Sequence, residues 1–430
     1  MKVLLYGINF APEPTGIGKY TGEMAAWLAA HGHEVRVVTA PPYYPAWQVG
    51  PGYRAGAYRR EAWDGAQVWR CPLWVPRKPG GLARVLHLIS FAITSLPVVL
   101  RQALWRPHVV WVCAPAFACT PGALLAARLS GAPAWLHVQD YEVDVAFDMG
   151  LLRGKLVRKL VTGLERWLFQ RFDAVSSISQ RMLDKARDKG VAPERVLFFP
   201  NWVDVNAITP RRPEQGPSPY RQELGIAPDQ VVALFSGTLS AKQGLHLLPE
   251  LARRLHAAQA PVTLVICGDG VMKPQLEEAT RGLPNVRLLP LQPKERLGDL
   301  LGMADLHLLP QDPDVADLVM PSKLTAMLSS GRPVVSNARP HSEIAHVVGQ
   351  CGRLCQPGDV DDMLAQVLAL AQAPALRAEL GQAARAYAER HLAADSVLAQ
   401  FVADAQRISG LATDQPQPAH SKDTQGAPQP

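Results

Sequence analysis

The sequence predicts two parallel α/β domains facing a central cleft, and three observations predict it. Short, continuous apolar runs alternate with helical patterns from the first residues onward, the alternation stops at a Pro-rich polar stretch over 206–228, and it restarts beyond that stretch. Such alternation folds as strand, crossover helix and parallel strand, because a right-twisted strand feeding a right-handed helix packs back on the sheet in one hand only. A chain of 430 residues with 48% hydrophobic content can bury a core in each half. The expected boundaries are a first domain over 1–205, a linker over 206–228, a second domain over 229–375, helices over 376–410 that can cross back to the first domain, and a tail over 411–430 whose polar composition predicts disorder.

In the first half, residues 2–8 (KVLLYGI), 19–30 (KYTGEMAAWLAA) and 34–39 (EVRVVT) make the first strand, helix and strand. Further runs at 109–112, 135–138, 175–178 and 196–199 are continuous and apolar, as in strands covered on both faces. Ligands of such sheets bind beyond the carboxyl ends of the strands, which puts the loop NFAPEPTGIGKY where chemistry would occur. Gly16, Gly18 and Gly22 give GxGxxxG, which is neither the GxGxxG of a dinucleotide site nor a Walker A loop. Two readings remain for Gly16 and Gly18: close approach of the backbone to a substrate, or a tight turn. His137 and Asp140 fall at another strand end, in HVQD. They are catalytic candidates, although a lone strand-end histidine is more often a structural hydrogen bonder.

The second half carries runs at 231–237, 262–270, 286–290, 306–310, 333–336 and 352–359. Before the fifth of these comes MPSKLTAMLSSGRP. Pro321 suits the first turn of a helix, Leu324, Met327 and Leu328 recur at helical spacing, and Gly331 with Pro333 ends it. The first turn leaves backbone N–H groups unpaired at the positive end of the helix dipole, with Ser322 and Lys323 beside them. That turn is a candidate site for a departing phosphate. A loop and helix holding Pro-Ser-Lys with no ligand is the competing reading.

The formal charge of +6 is uneven: residues 1–205 hold 24 Lys+Arg against 15 Asp+Glu, the remainder 20 against 23. A basic first half suits a phosphate-bearing or anionic-membrane partner, or is simply a solvated face; no nucleic acid partner is expected. Residues 82–104 are strongly apolar, but His87, Ser90, Thr94, Ser95 and Pro97 interrupt them, which argues for a covering or interfacial helix over a spanning one. Residues 153–171 carry six positive charges against Glu165 alone, with Leu156, Leu160, Leu164, Trp167 and Leu168 on one stripe. Such a helix can lie on anionic lipid, each basic residue adding ~1 kcal/mol. Lys2 is followed at once by a strand-like run and not by a secretory h-region, so a cytoplasmic location, peripheral to the membrane, is expected. The six cysteines include no CxxC pair and read as reduced core thiols, and no metal site is expected.

Taken together, YGINFAPEPTGIGKYTGEMAAWLAAHGHEVRVVT, SSIS at 176–179, PNWVD at 200–204, FSGTLSAKQGL at 235–245, CGDG at 267–270, NVRLLP, ADLHLLP and MPSKLTAMLSSGRPVVS resemble the retaining glycosyltransferases of the GT-B fold in the fourth sequence family. YYP at 43–45 and KQG at 242–244 look closest to the branch that builds bacterial exopolysaccharide, of the colanic acid fucosyltransferase-like kind. The resemblance implies two Rossmann-like domains, the second binding a nucleotide-sugar donor and the first a lipid-linked oligosaccharide acceptor, with no cofactor beyond that cosubstrate. It implies that Gly16 and Gly18 approach the donor, that Lys242 and Lys323 offset its diphosphate, and that the turns holding Gly268, Asp269 and Leu291 flank the nucleotide. Pro321, Ser322 and Leu324 belong to the same binding turn, Asp140 takes the acidic position of the first domain, and His137 matches the family histidine. Ala326 and Leu318 stand where relatives carry glutamates, and Thr238 and Gln243 where they carry phosphate-binding Arg and Lys. A nucleotide-sugar epimerase and a binding subunit without turnover are the alternatives.

Overall fold

Parallel pairing dominates both sheets of the protein in the computed structural model, which describes residues 1–77, 80–115, 117–141, 143–144, 147, 155–240, 243–312 and 321–411. The first domain contains β1 (Lys2–Tyr6), α1 (Gly16–Ala30), β2 (Glu34–Thr39), β3 (Arg59–Trp63), β4 (Ala66–Arg70), α2 (Gly81–Gln102), β5 (Val109–Ala114), α3 (Thr120–Ser130), β6 (Ala134–Val138), α4 (Lys155–Phe169), β7 (Ala174–Ser177), α5 (Gln180–Asp188) and β8 (Val196–Phe198). Its sheet runs β3-β4-β2-β1-β5-β6-β7-β8. The pleat sends Leu4 and Tyr6 to one face, against Phe91 and Val99 of α2 and Ala123 of α3. Val3 and Leu5 point to the other, against Met24 and Leu28 of α1.

The second domain follows with α6 (Pro219–Glu223), β9 (Val231–Ser236), α7 (Leu247–Ala257), β10 (Val262–Cys267), α8 (Lys273–Ala279), β11 (Val286–Leu289), α9 (Leu297–Met303), β12 (Leu306–Leu309), α10 (Ser322–Ser329), β13 (Val334–Ser336), α11 (Glu343–Cys351), β14 (Gly352–Leu354), α12 (Val360–Gln372), α13 (Pro374–His391) and α14 (Ala394–Ile408). Its six strands run β11-β10-β9-β12-β13-β14, all parallel. All six cysteines are buried free thiols.

Two features depart from the sequence expectation, and a third divides the C-terminal helices that it grouped together. β3 and β4 carry no apolar run, yet they extend the first sheet, with β3 as an antiparallel edge whose arginines keep it in solvent. The stretch 206–228 is not a free linker: Ile208, Tyr220 and Ile226 are buried in the second core, and Arg385 donates to the carbonyls of Val205 and Ile208 at 2.9 and 2.7 Å. Of the C-terminal helices, α13 stays on the second domain while α14 lies on the first. There Phe401 stacks on Trp135 at 4.7 Å between ring centroids, and Trp27 Nε1 donates to Asp395 at 2.7 Å. Phe401 is 1% exposed, so Phe401→Ala is expected to lower unfolding free energy by ~3–5 kcal/mol, read from urea denaturation.

Candidate active site at the interdomain cleft

The carboxyl ends of β9 and β10 in the second domain open into two loops that lock together. Gly237 N–H donates to Cys267 O at 3.0 Å, Leu239 N–H to Asp269 O at 2.8 Å and Met272 N–H to Leu239 O at 3.0 Å. Gly268 has φ +154°, and a Cβ there would overlap the Gly237 carbonyl oxygen, so backbone packing on its own demands a glycine. Asp269 stays exposed on this turn, and Leu291, beyond β11, is 70% exposed.

α10 begins beside these loops. Pro321 is its N-cap with extended backbone, Ser322 is exposed in the first turn, and Leu324, 0% exposed, anchors the helix in the core. Lys323 reaches back along Gly237, with Nζ 4.3 Å from the centroid of the Phe235 ring, and donates to Gln243 Oε1. Protein surrounds the ammonium and, among the described residues, no carboxylate offsets its charge, so desolvation lowers its pKa to about 7. A cationic side chain and the open N–H groups of a helix start therefore share one spot, which suits a diphosphate. Lys242 lies outside the described residues, as do Asp317, Leu318 and Met320.

On the first domain's edge, Gly16 opens α1 at φ +61°, exposed. Gly18 is different: it is buried, and a Cβ there would run into the Glu13 carboxylate, so packing against Glu13 by itself demands a glycine. Glu13 is itself 4% exposed and accepts from Asn9 Nδ2 at 2.9 Å and from the N–H groups of Tyr43 and Tyr44 at 3.0 Å each. Arg70, 1% exposed, donates to Ala11 O at 2.5 Å and to Ala40 O at 3.0 Å. Together Glu13 and Arg70 tie the loop after β1 to the loop after β2.

His137 is corrected from a catalytic candidate at the ligand edge to a core residue. It is 1% exposed, stacked on Trp111 at 5.4 Å, and its Nδ1 is 2.9 Å from Ser176 Oγ. Burial pushes its pKa down to about 3, so it is neutral. The next side chains on that strand end, Gln139 and Asp140, are half-buried beyond β6 at the cleft edge.

Two contacts between the domains were invisible to sequence reasoning. The Tyr20 hydroxyl of α1 lies beside Thr325 and Ser322 of α10, which brings the first domain onto the candidate phosphate turn. Glu343, 6% exposed at the start of α11, accepts from the N–H of Gln180 at 3.0 Å and so caps α5 across the cleft. Neither carries a sequence signal, because tyrosine in a helix and glutamate after a serine cap have many local uses. Among the described residues no group of three or more His, Cys, Asp or Glu side chains could hold a metal ion.

Between about pH 7 and the ordinary lysine range, Lys323 is neutral in the free protein and an anion would recharge it. Pyrophosphate binding at about pH 8 is therefore expected to take up a proton, seen as a calorimetric enthalpy that varies with the ionisation enthalpy of the buffer. Lys323→Met should remove that dependence and leave the far-UV circular dichroism unchanged.

Residues 15–202 match the family Glycosyl transferase 4-like domain, and residues 230–373 match Glycosyl transferases group 1. The chain is 44% identical over 416 residues, 94% of its length and 99% of the relative's, to a protein of Escherichia coli strain K12 assigned to colanic acid biosynthesis as the glycosyl transferase WcaI. Among solved structures, sucrose-phosphate synthase of Thermosynechococcus elongatus superposes with a TM-score of 0.71 at 13% identity over 95% of this chain and 99% of that one. HepE of Anabaena in complex with UDP and glucose superposes with a TM-score of 0.65 at 18% identity, covering 95% of this chain and 100% of that one. The two domain matches, one at each wall of the cleft, and the full-length relative together make the chain a group 1 glycosyltransferase of the fourth family, built on the GT-B fold.

Proposed function

We propose that this glycosyltransferase moves a sugar from a GDP- or UDP-linked donor to a lipid-linked acceptor in bacterial exopolysaccharide assembly, with retention and without a metal, at the cytoplasmic face of the membrane. The observation that carries the reading is Lys323 at the start of α10, in the turn whose Ser322 lies near Tyr20 of the first domain. Breaking the bond between the anomeric carbon and the phosphate oxygen leaves negative charge on the diphosphate. Positioned N–H groups and one cation stabilise that charge most effectively where water is scarce. Asp140, on the opposite wall, is the carboxylate we place toward the sugar and acceptor. The colanic acid assignment of the Escherichia coli relative supports the exopolysaccharide role.

Membrane contact is supported by the inverted build of α4. Its inward side holds a buried ion pair, Glu165 with Lys189 at 2.5 Å, while Leu156, Leu160, Leu164 and Trp167 are 51–70% exposed on the outside. Of the stripe read from the sequence, Leu168 alone turns inward, at 4% exposed. Exposed basic residues Arg158, Lys159, Arg166 and Arg171 flank the apolar face, as an anionic lipid surface requires.

One observation favours a second reading, a subunit that binds nucleotide without turnover: Ala326 on α10 offers no carboxylate to a ribose. Tight binding with no sugar release would mark it.

In a panel of GDP- and UDP-sugars, one donor is expected to raise the melting temperature and to label a lipid extract, and Lys323→Ala should abolish labelling in a folded protein. Labelling that persists in the variant would remove Lys323 from the reaction. Replacing Arg158, Lys159, Arg166 and Arg171 by Gln is expected to release the protein from phosphatidylglycerol vesicles in a flotation assay, with soluble-donor binding unchanged.

A further inference from the structure

The outer strands of the first sheet carry a cavity of about 490 Å³ between the end of α2 and strands β2 to β4. Its place is set by Trp105, whose carbonyl accepts from Lys2 Nζ at 3.4 Å, and by His108, whose N–H donates to Lys2 O at 2.8 Å.

Three guanidinium groups line the cavity, from Arg36, Arg60 and Arg101. Arg36 lies between two indoles, 4.3 Å from the Trp105 centroid and 5.4 Å from that of Trp69, and Arg60 covers Trp69 at 5.1 Å. Their hydrogen-bond partners are neutral: Arg36 donates to Gln102 Oε1 at 3.0 Å and Arg60 to Gln67 Oε1 at 2.8 Å. Among the described residues none of the three arginines forms an ion pair. Glu34 is the carboxylate that acts on Arg36, and the repulsion from Arg60 outweighs it. Converging like charges with no carboxylate among them leave an unfilled demand for an anion, and the forked guanidinium suits phosphate.

The rim is apolar. Leu104, 85% exposed, borders the cavity and continues a stripe along α2 through Leu82, Leu86, Ile89, Ile93 and Leu96, each 38–72% exposed. The span Gly81–Trp105 is long and apolar enough by composition to cross a membrane, but it packs on α3 and on the sheet, with 22% of its most apolar window buried. What it leaves outside is a surface suited to hydrocarbon running into a basic pocket.

We propose that this cavity is a headgroup site for a phosphate-bearing membrane lipid, with the phosphate among Arg36, Arg60 and Arg101 and the acyl chains along the α2 stripe. The site is lined by first-domain residues alone and does not depend on the donor reading or on α4.

The test is calorimetric titration of the full chain carrying Lys323→Met, which keeps anions out of the cleft, with dihexanoyl phosphatidic acid below its micelle concentration and with inorganic phosphate. Saturable binding of the lipid is expected, about tenfold or more tighter than phosphate because the chains add buried apolar area. R36Q/R60Q should weaken lipid binding about tenfold or more. Arg101→Gln, on an exposed helix end, should weaken it as well and keeps the test decisive if the double variant unfolds. Equal affinity for inorganic phosphate would overturn the lipid assignment and leave an anion site. No saturable binding, or binding indifferent to these substitutions, would overturn the site itself.

Discussion

A lysine charge held among protein atoms, with no carboxylate among the described residues to balance it, is the constraint on which the cleft depends. Lys323 lies over Phe235 and along Gly237, and its neutral partner Gln243 replaces only part of the hydration it has lost. The arrangement is tolerable because the pKa falls to about 7, so the free protein carries the group largely uncharged in mildly basic solution. A diphosphate bound there, as proposed, would reverse that balance, with the N–H groups of the same helix turn adding to the attraction. The locked glycine loops at the ends of β9 and β10 fix the floor against which Lys323 is laid.

Opposite this floor the first domain presents loops that are stiff for a different reason. Glu13 and Arg70 are buried, and each satisfies backbone groups from the loops after β1 or β2. Removing either would leave buried donors or acceptors unpaired, which costs more than the bond itself contributes. Gly18 is glycine because Glu13 occupies the space of a side chain, and Gly16, exposed at the tip of α1, remains free to face a ligand. Glu343 then joins the two walls at a helix start, where unpaired N–H groups find partners readily, and Tyr20 lies beside the start of α10.

The helical layer of the first domain has two audiences. Phe91, Val99 and Phe169 turn inward to the sheet, whereas the outer sides of α2 and α4 carry leucines, isoleucines and a tryptophan with basic residues at their margins. A soluble covering helix would carry its apolar residues inward; α4 does so only at its end, with Leu168 and Phe169, and beside them buries Glu165 against Lys189. The basic excess of the first half of the chain concentrates on this layer and on the arginine cavity at its end, so charge and exposed hydrocarbon occur together.

How much was legible in the sequence follows from where each signal originates. The strands buried on both faces announced themselves as unbroken apolar runs, because each face must be covered by helices, and so did the start of α10, where Pro321, Ser322 and Leu324 act through local geometry. β3 and β4 did not, since a charged edge strand exists only by pairing with its neighbour. Ile208 and Tyr220 hid in a proline-rich stretch, since three or four apolar residues among polar ones reveal a core contact only when a surface arrives to meet them. His137 looked like a ligand-edge residue because strand position is readable and side-chain direction is less so. One pleat decided it, turning the ring toward Trp111 and Ser176. The sequence by itself determined the two parallel domains and the helix start, properties of neighbours along the chain. Only the tertiary structure decided which charges lose water and which stripe faces outward, because burial belongs to residues brought together from distant parts of the chain.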